Sequence, residues 1–323
     1  MSTSDISFTS LGLVVLDEIR VADQTPLTNV VGGSGAYEKE TDKPSTRGLL
    51  AYEDTTFGPK DFKYTTPVLA VQDSSIASTA LLGSKVFHYL QAPHDIISRI
   101  ESLLALRHKA SITNRPLIIW EPAPPSCQPE NLQTCLEAAA LVDVFSPNHL
   151  ELAAFFGESL SPSSSASASA SDKYPEKDKT KTRIDELALK FVDSGVGPSR
   201  NGLVLIRAGE HGCLLRSRTL PSPMWFPPFY DLSSDSRPQK QHAKVIDPTG
   251  AGNAFLGAFA VGYVKTDGSV VEAACYGSVG ASFALEQVGM PKKTEEGGEE
   301  LWNGVTAFSR LREYMSRSRV DVR

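Results

Sequence analysis

Residues 247–253 read Asp-Pro-Thr-Gly-Ala-Gly-Asn, and the small apolar run Ala254-Phe-Leu-Gly-Ala-Phe-Ala260 follows directly. Glycines at 250 and 252 leave backbone N–H groups bare in a tight turn, and a helix starting behind them adds the positive end of its dipole. That combination cradles phosphate. Lys244-Val245-Ile246 reads as the end of a strand leading into the turn. No Gly-Lys-Ser/Thr follows, which excludes a Walker A loop, and the absence of Gly-x-Gly-x-x-Gly excludes a dinucleotide turn. An ordinary strand-to-helix connection is the alternative reading of these residues by themselves.

Other residues with chemistry to offer are dispersed. Pro147-Asn148-His-Leu-Glu151 has the spacing of a helix start, in which Glu151 either completes a capping box with Asn148 or helps to hold a cation. Leu203-Val-Leu-Ile-Arg207-Ala-Gly209-Glu-His-Gly212-Cys-Leu-Leu reads as two apolar strands around a glycine turn. Arg207, ending the first strand, either reaches an anion or pairs with an acid. Asp17 closes the apolar stretch that starts at Ser10, and Gly32-Gly33 opens a Gly-Gly-Ser-Gly-Ala loop. A strand-end acid such as Asp17 serves equally as a ligand or as a loop-bonding residue. His211 reads as an exposed turn residue, since no second His or Cys is placed to make a metal site with it.

In their order along the chain these segments resemble the pfkB, or ribokinase-like, carbohydrate kinases. Asp247 to Gly252 match the first six positions of the Asp-x-Thr-Gly-Ala-Gly-Asp signature, and the wider wording as far as Gly257 resembles a fungal branch of that family. The resemblance implies a three-layer α/β fold of ribokinase type, with a mostly parallel sheet and a reduced β lid. It implies ATP and Mg²⁺ as cofactors and a small hydroxylated substrate of sugar or nucleoside kind. Gly250, Ala251 and Gly252 would then stabilise the transferring phosphate. Asn148, Glu151, Arg207, Gly209, Gly212, Asp247 and Thr249 would serve the nucleotide, with Glu151 reaching Mg²⁺ through water, and residues 273–290 would close over the adenine. Asp17, Gly32 and Gly33 would hold substrate hydroxyls. The seventh signature position departs from the pattern: Asn253 stands where the family has the Asp that takes the proton from the substrate hydroxyl. A neutral amide is no general base near neutral pH. Slow or lost transfer follows, and the opposing expectation is an inactive nucleotide-binding scaffold with a protein partner.

Composition agrees with that class. The chain has 323 residues, 41% of them hydrophobic and 22% charged, enough to bury a full α/β core. A net charge of -6 argues against a general binder of nucleic acid or anionic membrane. Cys127, Cys135, Cys213 and Cys275 lack the paired spacing of a zinc site or a disulfide framework. The polar start Met1-Ser-Thr-Ser-Asp5 lacks a secretory pattern, and no apolar run is long enough to span a bilayer. A cytoplasmic location is the resulting expectation.

Apolar runs at 11–16, 86–90, 117–120, 142–145 and 203–206 have strand length, and amphipathic stretches at 95–105 and 130–141 have the helical period. Their alternation predicts a parallel sheet covered on both faces. The chain is read as a single ribokinase-like domain, 1–323, with the substrate loop and a partial lid at 17–67 and the nucleotide-binding half at 183–323. Residues 45–50 and 62–67 read as lid strands, and 221–240 as a loop. The Ser/Ala repeat and charged run at 159–181 carry too little apolar surface to offset ordering entropy, which predicts a disordered insertion. Between Tyr37 and Ser45 a charged link stands where the family has further strands and helices, so a block of that fold is expected to be missing and the sheet edges to be prone to association.

Overall fold

The computed structural model describes residues 6–12, 15–20, 25–32, 45–52, 60–69, 71–160, 176–231 and 244–318. The chain forms two compact units, Met1–Phe87 with Phe229–Arg323, and His88–Pro228. The first unit opens with β1 (Phe8–Ser10), β2 (Val15–Arg20), β3 (Leu27–Gly32), β4 (Arg47–Tyr52), β5 (Lys60–Tyr64) and the short α1 (Asp73–Ile76). β6 (Val86–Gln91) leads into the second unit. There follow α2 (Pro93–Lys109), β7 (Leu117–Pro122), α3 (Leu132–Ala139), β8 (Val144–Phe145), α4 (His149–Ala154), α5 (Glu176–Ser194), β9 (Leu203–Arg207), β10 (Cys213–Arg216) and β11 (Met224–Phe226). The chain then returns to the first unit for α6 (Ala251–Lys265), α7 (Val270–Ala284), the hairpin β12 (Lys293–Glu296) and β13 (Glu299–Trp302), and α8 (Ala307–Ser318). No helix among the described residues is long and apolar enough to cross a membrane.

The second unit carries strands in the order β6-β7-β8-β9-β10-β11. Pairing is parallel across β7, β8 and β9, and antiparallel from β9 through β10 to β11. The continuous apolar runs at 117–120 and 203–206 lie in β7 and β9, whose side chains from Ile118 to Trp120 and from Leu203 to Ile206 are buried, as strands covered on both faces require. Ile96, Ile100 and Leu103 turn one side of α2 inward, and Cys135, Ala138 and Ala139 do so on α3. α5 begins at Glu176, so the last residues of the 159–181 segment are helical and not a loop. Its buried face, Ile184, Leu187, Ala188 and Phe191, supplies the packing that sequence composition upstream could not reveal. Residues 161–175 lie outside the described residues.

In the first unit, Leu11 and Gly12 of the expected strand at 11–16 lie in no strand, and Val15 and Leu16 open β2. Residues 8–10 form β1, beside which Val86 N–H donates to Ser7 O at 3.0 Å. The chain bends at Gly12, and β2 starts at Val15 within a separate four-stranded sheet of order β3-β2-β4-β5. β2 runs antiparallel to β3 and parallel to β4, and β4 runs antiparallel to β5. Ile19 is buried and Arg20 exposed, the alternation of a sheet with one wet face. The 37–45 junction falls outside the described residues except for Ser45.

α6 and α7 pack through glycines. A Cβ placed on Gly262 would stand 2.6 Å from the Tyr276 ring, on Gly277 2.8 Å from the Phe255 ring, and on Gly280 2.5 Å from Ala258 Cβ and 2.8 Å from the Ala254 carbonyl oxygen. Just beyond α7, Glu286 accepts two bonds from Arg310 Nη2, each of 2.8 Å, along with bonds from Tyr230 Oη and Asn303 Nδ2. The Arg310 guanidinium also lies 3.9 Å above the Phe283 ring, which ties α8 to the end of α7. Burial pushes the Glu286 carboxyl up, but these hydrogen bonds outweigh it and hold the group below the ordinary range.

The Gly280 contact gives a direct test, because the Ala254 carbonyl is main chain and cannot rotate aside. Overpacking of this kind costs about 1–3 kcal/mol, against a helix-propensity gain of at most about 1 kcal/mol for Ala over Gly. Gly280→Ala is therefore expected to lower the free energy of unfolding by about 1–2 kcal/mol in urea melts. A variant as stable as its parent would show that the two helices separate freely.

Candidate functional site

The glycine turn belongs to the first unit. Gly250 takes the left-handed conformation, φ 80° and ψ -11°, and precedes α6 as its N-cap, where it has no side chain to offer the helix. A Cβ there would meet nothing within 4 Å, so glycine is required by conformation, and the space before the helix is open. Gly252 and Asn253 are the second and third residues of α6, among the first-turn amides that have no partner within the helix. Asp247 is buried, and its Oδ1 accepts from Thr249 N at 2.8 Å, which holds the turn closed. Residues 244–246 are not a strand. Ile246 N and Asp247 N both donate to Leu285 O, at 2.7 and 3.2 Å, so the turn is suspended from the end of α7 in place of a sheet edge.

Asp17 lies inside β2, paired with Val30 and with Gly48, and does not end a strand of the larger sheet. Gly32 ends β3 opposite Val15, which brings it into the same ladder as Asp17. Gly33 lies outside the described residues.

In the second unit the structure brings Asn148, Glu151 and Arg207 together. Asn148 caps α4, its Oδ1 accepting from Leu150 N at 2.9 Å and Glu151 N at 2.8 Å. Glu151 reaches back: Oε2 accepts from Asn148 N at 2.7 Å and Oε1 from Asn148 Nδ2 at 2.6 Å. The capping box is thus complete. Arg207 Nη2 stands 2.7 Å from Glu121 Oε1 and 3.6 Å from Glu151 Oε2, and donates to Ser146 O at 3.1 Å. His88 Nε2 lies 3.3 Å from the other Glu121 oxygen. Glu121 and His88 were not singled out in the sequence. The available signal was an acid immediately after the apolar run of β7, in Trp120-Glu121-Pro122.

The two carboxylates divide one guanidinium unequally. Burial pushes the Glu121 carboxyl up, but Arg207 and His88 overcome it and hold it below the usual carboxylate range. Glu151 is pushed up to about 7, chiefly by burial and further by Glu121, with Arg207 opposing. Gly209 and Gly212 shape the neighbouring turn, both at positive φ, and a Cβ on Gly212 would fall 1.9 Å from Phe226 O. His211 is buried and not exposed as its turn position suggested, its ring edge-on to His149 at 6.2 Å between centroids. His149 at the α4 N-terminus packs beside the His211 ring, while Gly209 and Glu210 of the same turn remain exposed. Burial lowers the His149 pKa.

The donor set fits a hydrated Mg²⁺. Two buried carboxylates facing one arginine favour an added cation. Both Glu151 oxygens are already engaged with Asn148, and among the described residues no group of three or more His, Cys, Asp or Glu is placed to hold a metal directly. Mg²⁺ that keeps its waters needs no such cage.

Residues 56–296 match the pfkB family carbohydrate kinase. The chain belongs to that family. Among curated pfkB relatives, an uncharacterised protein of Schizosaccharomyces pombe is 28% identical over 358 aligned positions, covering 97% of this chain and 93% of the relative. Protein MAK32 of Saccharomyces cerevisiae is 28% identical, covering 87% of this chain and 72% of the relative. Ribokinase from Giardia lamblia shares the fold with a TM-score of 0.59 at 15% identity, covering 98% of this chain and 99% of that one. Adenosine kinase from Schistosoma mansoni does so with a TM-score of 0.60 at 14% identity, covering 88% and 97%. The ribokinase-like α/β fold of pfkB proteins is therefore that of this chain.

The raised Glu151 pKa has a consequence for stability in this pfkB protein. An acid that holds its proton more tightly when folded makes stability fall as pH rises from the unfolded value of 4.5 to about 7. Glu151→Gln preserves the capping box and removes that fall. The melting temperature of the variant relative to the parent is expected to climb between about pH 5 and about pH 7.5, and a difference independent of pH would show that Glu151 ionises freely.

Proposed function

We propose that this chain is an ATP- and Mg²⁺-dependent phosphotransferase that acts slowly on a hydroxyl of a small sugar-like or nucleoside substrate in the cytosol. The observation that carries the reading is the start of α6, with Gly250 left-handed before it and open space at the position its Cβ would take. Such an end neutralises negative charge with fixed dipoles. In the second unit Asn148 and Glu151 would orient the waters of Mg²⁺ and Arg207 would add a positive charge. The Asp17 strand and the end of β3 would face the substrate. ATP supplies the phosphoryl group, and the residues of this chain position and stabilise it. Identity of 36% to inositol 3-kinase of Arabidopsis thaliana, over 89 residues and 28% of this chain, supports a polyol hydroxyl as acceptor. Four free buried thiols suit a reducing compartment.

Asn253 sets the rate. Its amide can hydrogen-bond a hydroxyl but cannot take the proton, a loss worth about 10²–10⁴-fold. The same residue supports a second reading, a nucleotide-binding scaffold with a protein partner. The 358 positions aligned with the S. pombe relative exceed the 323 residues of this chain, so that relative carries segments absent here, which supports a shortened fold.

Two measurements separate the readings. ATP with Mg²⁺ is expected to raise the melting temperature of the purified protein, and no shift at millimolar ligand would remove both. Asn253→Asp is expected to increase phosphorylation across a panel of sugars, polyols and nucleosides by at least about tenfold. An unchanged rate with ATP still bound would leave the scaffold.

A further inference from the structure

We infer that Glu121 is a positioning residue that draws Arg207 away from Glu151 and so keeps the Glu151 carboxylate available to a hydrated divalent cation. The inference rests on the phosphotransfer reading above and extends it to a residue at the end of β7. Arg207 directs a single nitrogen, Nη2, at Glu121 Oε1 and Ser146 O, at 2.7 and 3.1 Å, and leaves Glu151 Oε2 at 3.6 Å, beyond hydrogen-bond range. Arg207 Nε is buried without a hydrogen-bond partner among the described residues. The guanidinium therefore does not use its two-pronged face on either carboxylate, although that face is what makes arginine a strong carboxylate partner.

Glu151 sits on α4, held from behind by Asn148, while Arg207 ends β9, so a modest turn of the guanidinium would give Glu151 the contact that Glu121 now has. Glu121 prevents it. His88 braces the other Glu121 oxygen from β6, so the carboxylate is fixed at both ends. Without Glu121, arginine and Glu151 would close into a pair, and an internal cation would take the place of the magnesium charge.

Crystal structures and calorimetry of Glu121→Gln, Arg207→Met and the double variant test this. In Glu121→Gln, Arg207 is expected to move onto Glu151 within hydrogen-bond distance, and the ratio of ATP affinity with Mg²⁺ to that in EDTA is expected to fall by about tenfold. In the double variant no arginine is left to neutralise Glu151, and the ratio is expected to recover toward the parent value. Glu121→Asp, which keeps the charge, should retain most of the response. Should Glu121→Gln not fold, the double variant, which removes both buried charges, stands against Arg207→Met in the same comparison. An unmoved Arg207, or a double variant whose magnesium response is as low as that of Glu121→Gln, overturns the inference. A parent protein that binds no ATP at all would instead refute the phosphotransfer reading, and the position of Arg207 in the Glu121→Gln crystal would still decide the role of Glu121.

Discussion

The approach of α6 to α7 across Gly262, Gly277 and Gly280 leaves no room for a methyl group at the contact, and the glycine turn before α6 inherits its position from that contact. One end of the turn hangs from the Leu285 carbonyl at the close of α7, and the other becomes the first turn of α6. Both ends are therefore fixed by the same helix pair. Fixed amides need no reorganisation when negative charge arrives, which is the condition for strong electrostatic stabilisation. The Glu286 cluster extends this frame to α8, since Arg310 satisfies Glu286 and Ser282 at once and covers an aromatic face.

The second unit is governed by a different constraint, the cost of burying charge. Two carboxylates and one guanidinium cannot all be neutralised pairwise, and the geometry shows where the deficit falls. Glu121 holds the shorter contact to Arg207 and a histidine besides, whereas Glu151 is left with main-chain and amide donors from Asn148. Buried ion pairs of this kind are weak sources of stability compared with apolar packing.

Local chemistry was legible in the sequence and long-range chemistry was not. The glycine turn, the Asn148–Glu151 capping box and the buried strands β7 and β9 each depend on residues a few positions apart, and each was readable from spacing. Glu121 and His88 become relevant only when β6, β7 and β9 are aligned, and nothing in the linear order joins them to Arg207. The run 11–16 reads as one strand because its apolar residues are continuous, although the chain bends at Gly12 and only Val15 and Leu16 of the run enter β2. His211 looked exposed because a Gly-x-x-Gly turn is normally wet, and only the fold brings His149 of α4 beside its ring. At 244–246, β-branched residues suggested a strand where the main chain instead bonds to a helix end.

Binding and catalysis in this site depend on different parts of the chain, and that bears on how Asn253 is to be read. The turn is made of main-chain amides and a left-handed glycine before the start of α6. Position 253 carries a neutral amide, which takes no proton near neutral pH. A change from acid to amide keeps size but exchanges an acceptor oxygen for a donor NH2 group. The left-handed glycine and the close helix contact belong to the first unit, and the Asn148 capping box with its charged partners belongs to the second. The turn is therefore fixed by main-chain geometry and helix packing, whereas the chemistry open to position 253 is that of its amide alone.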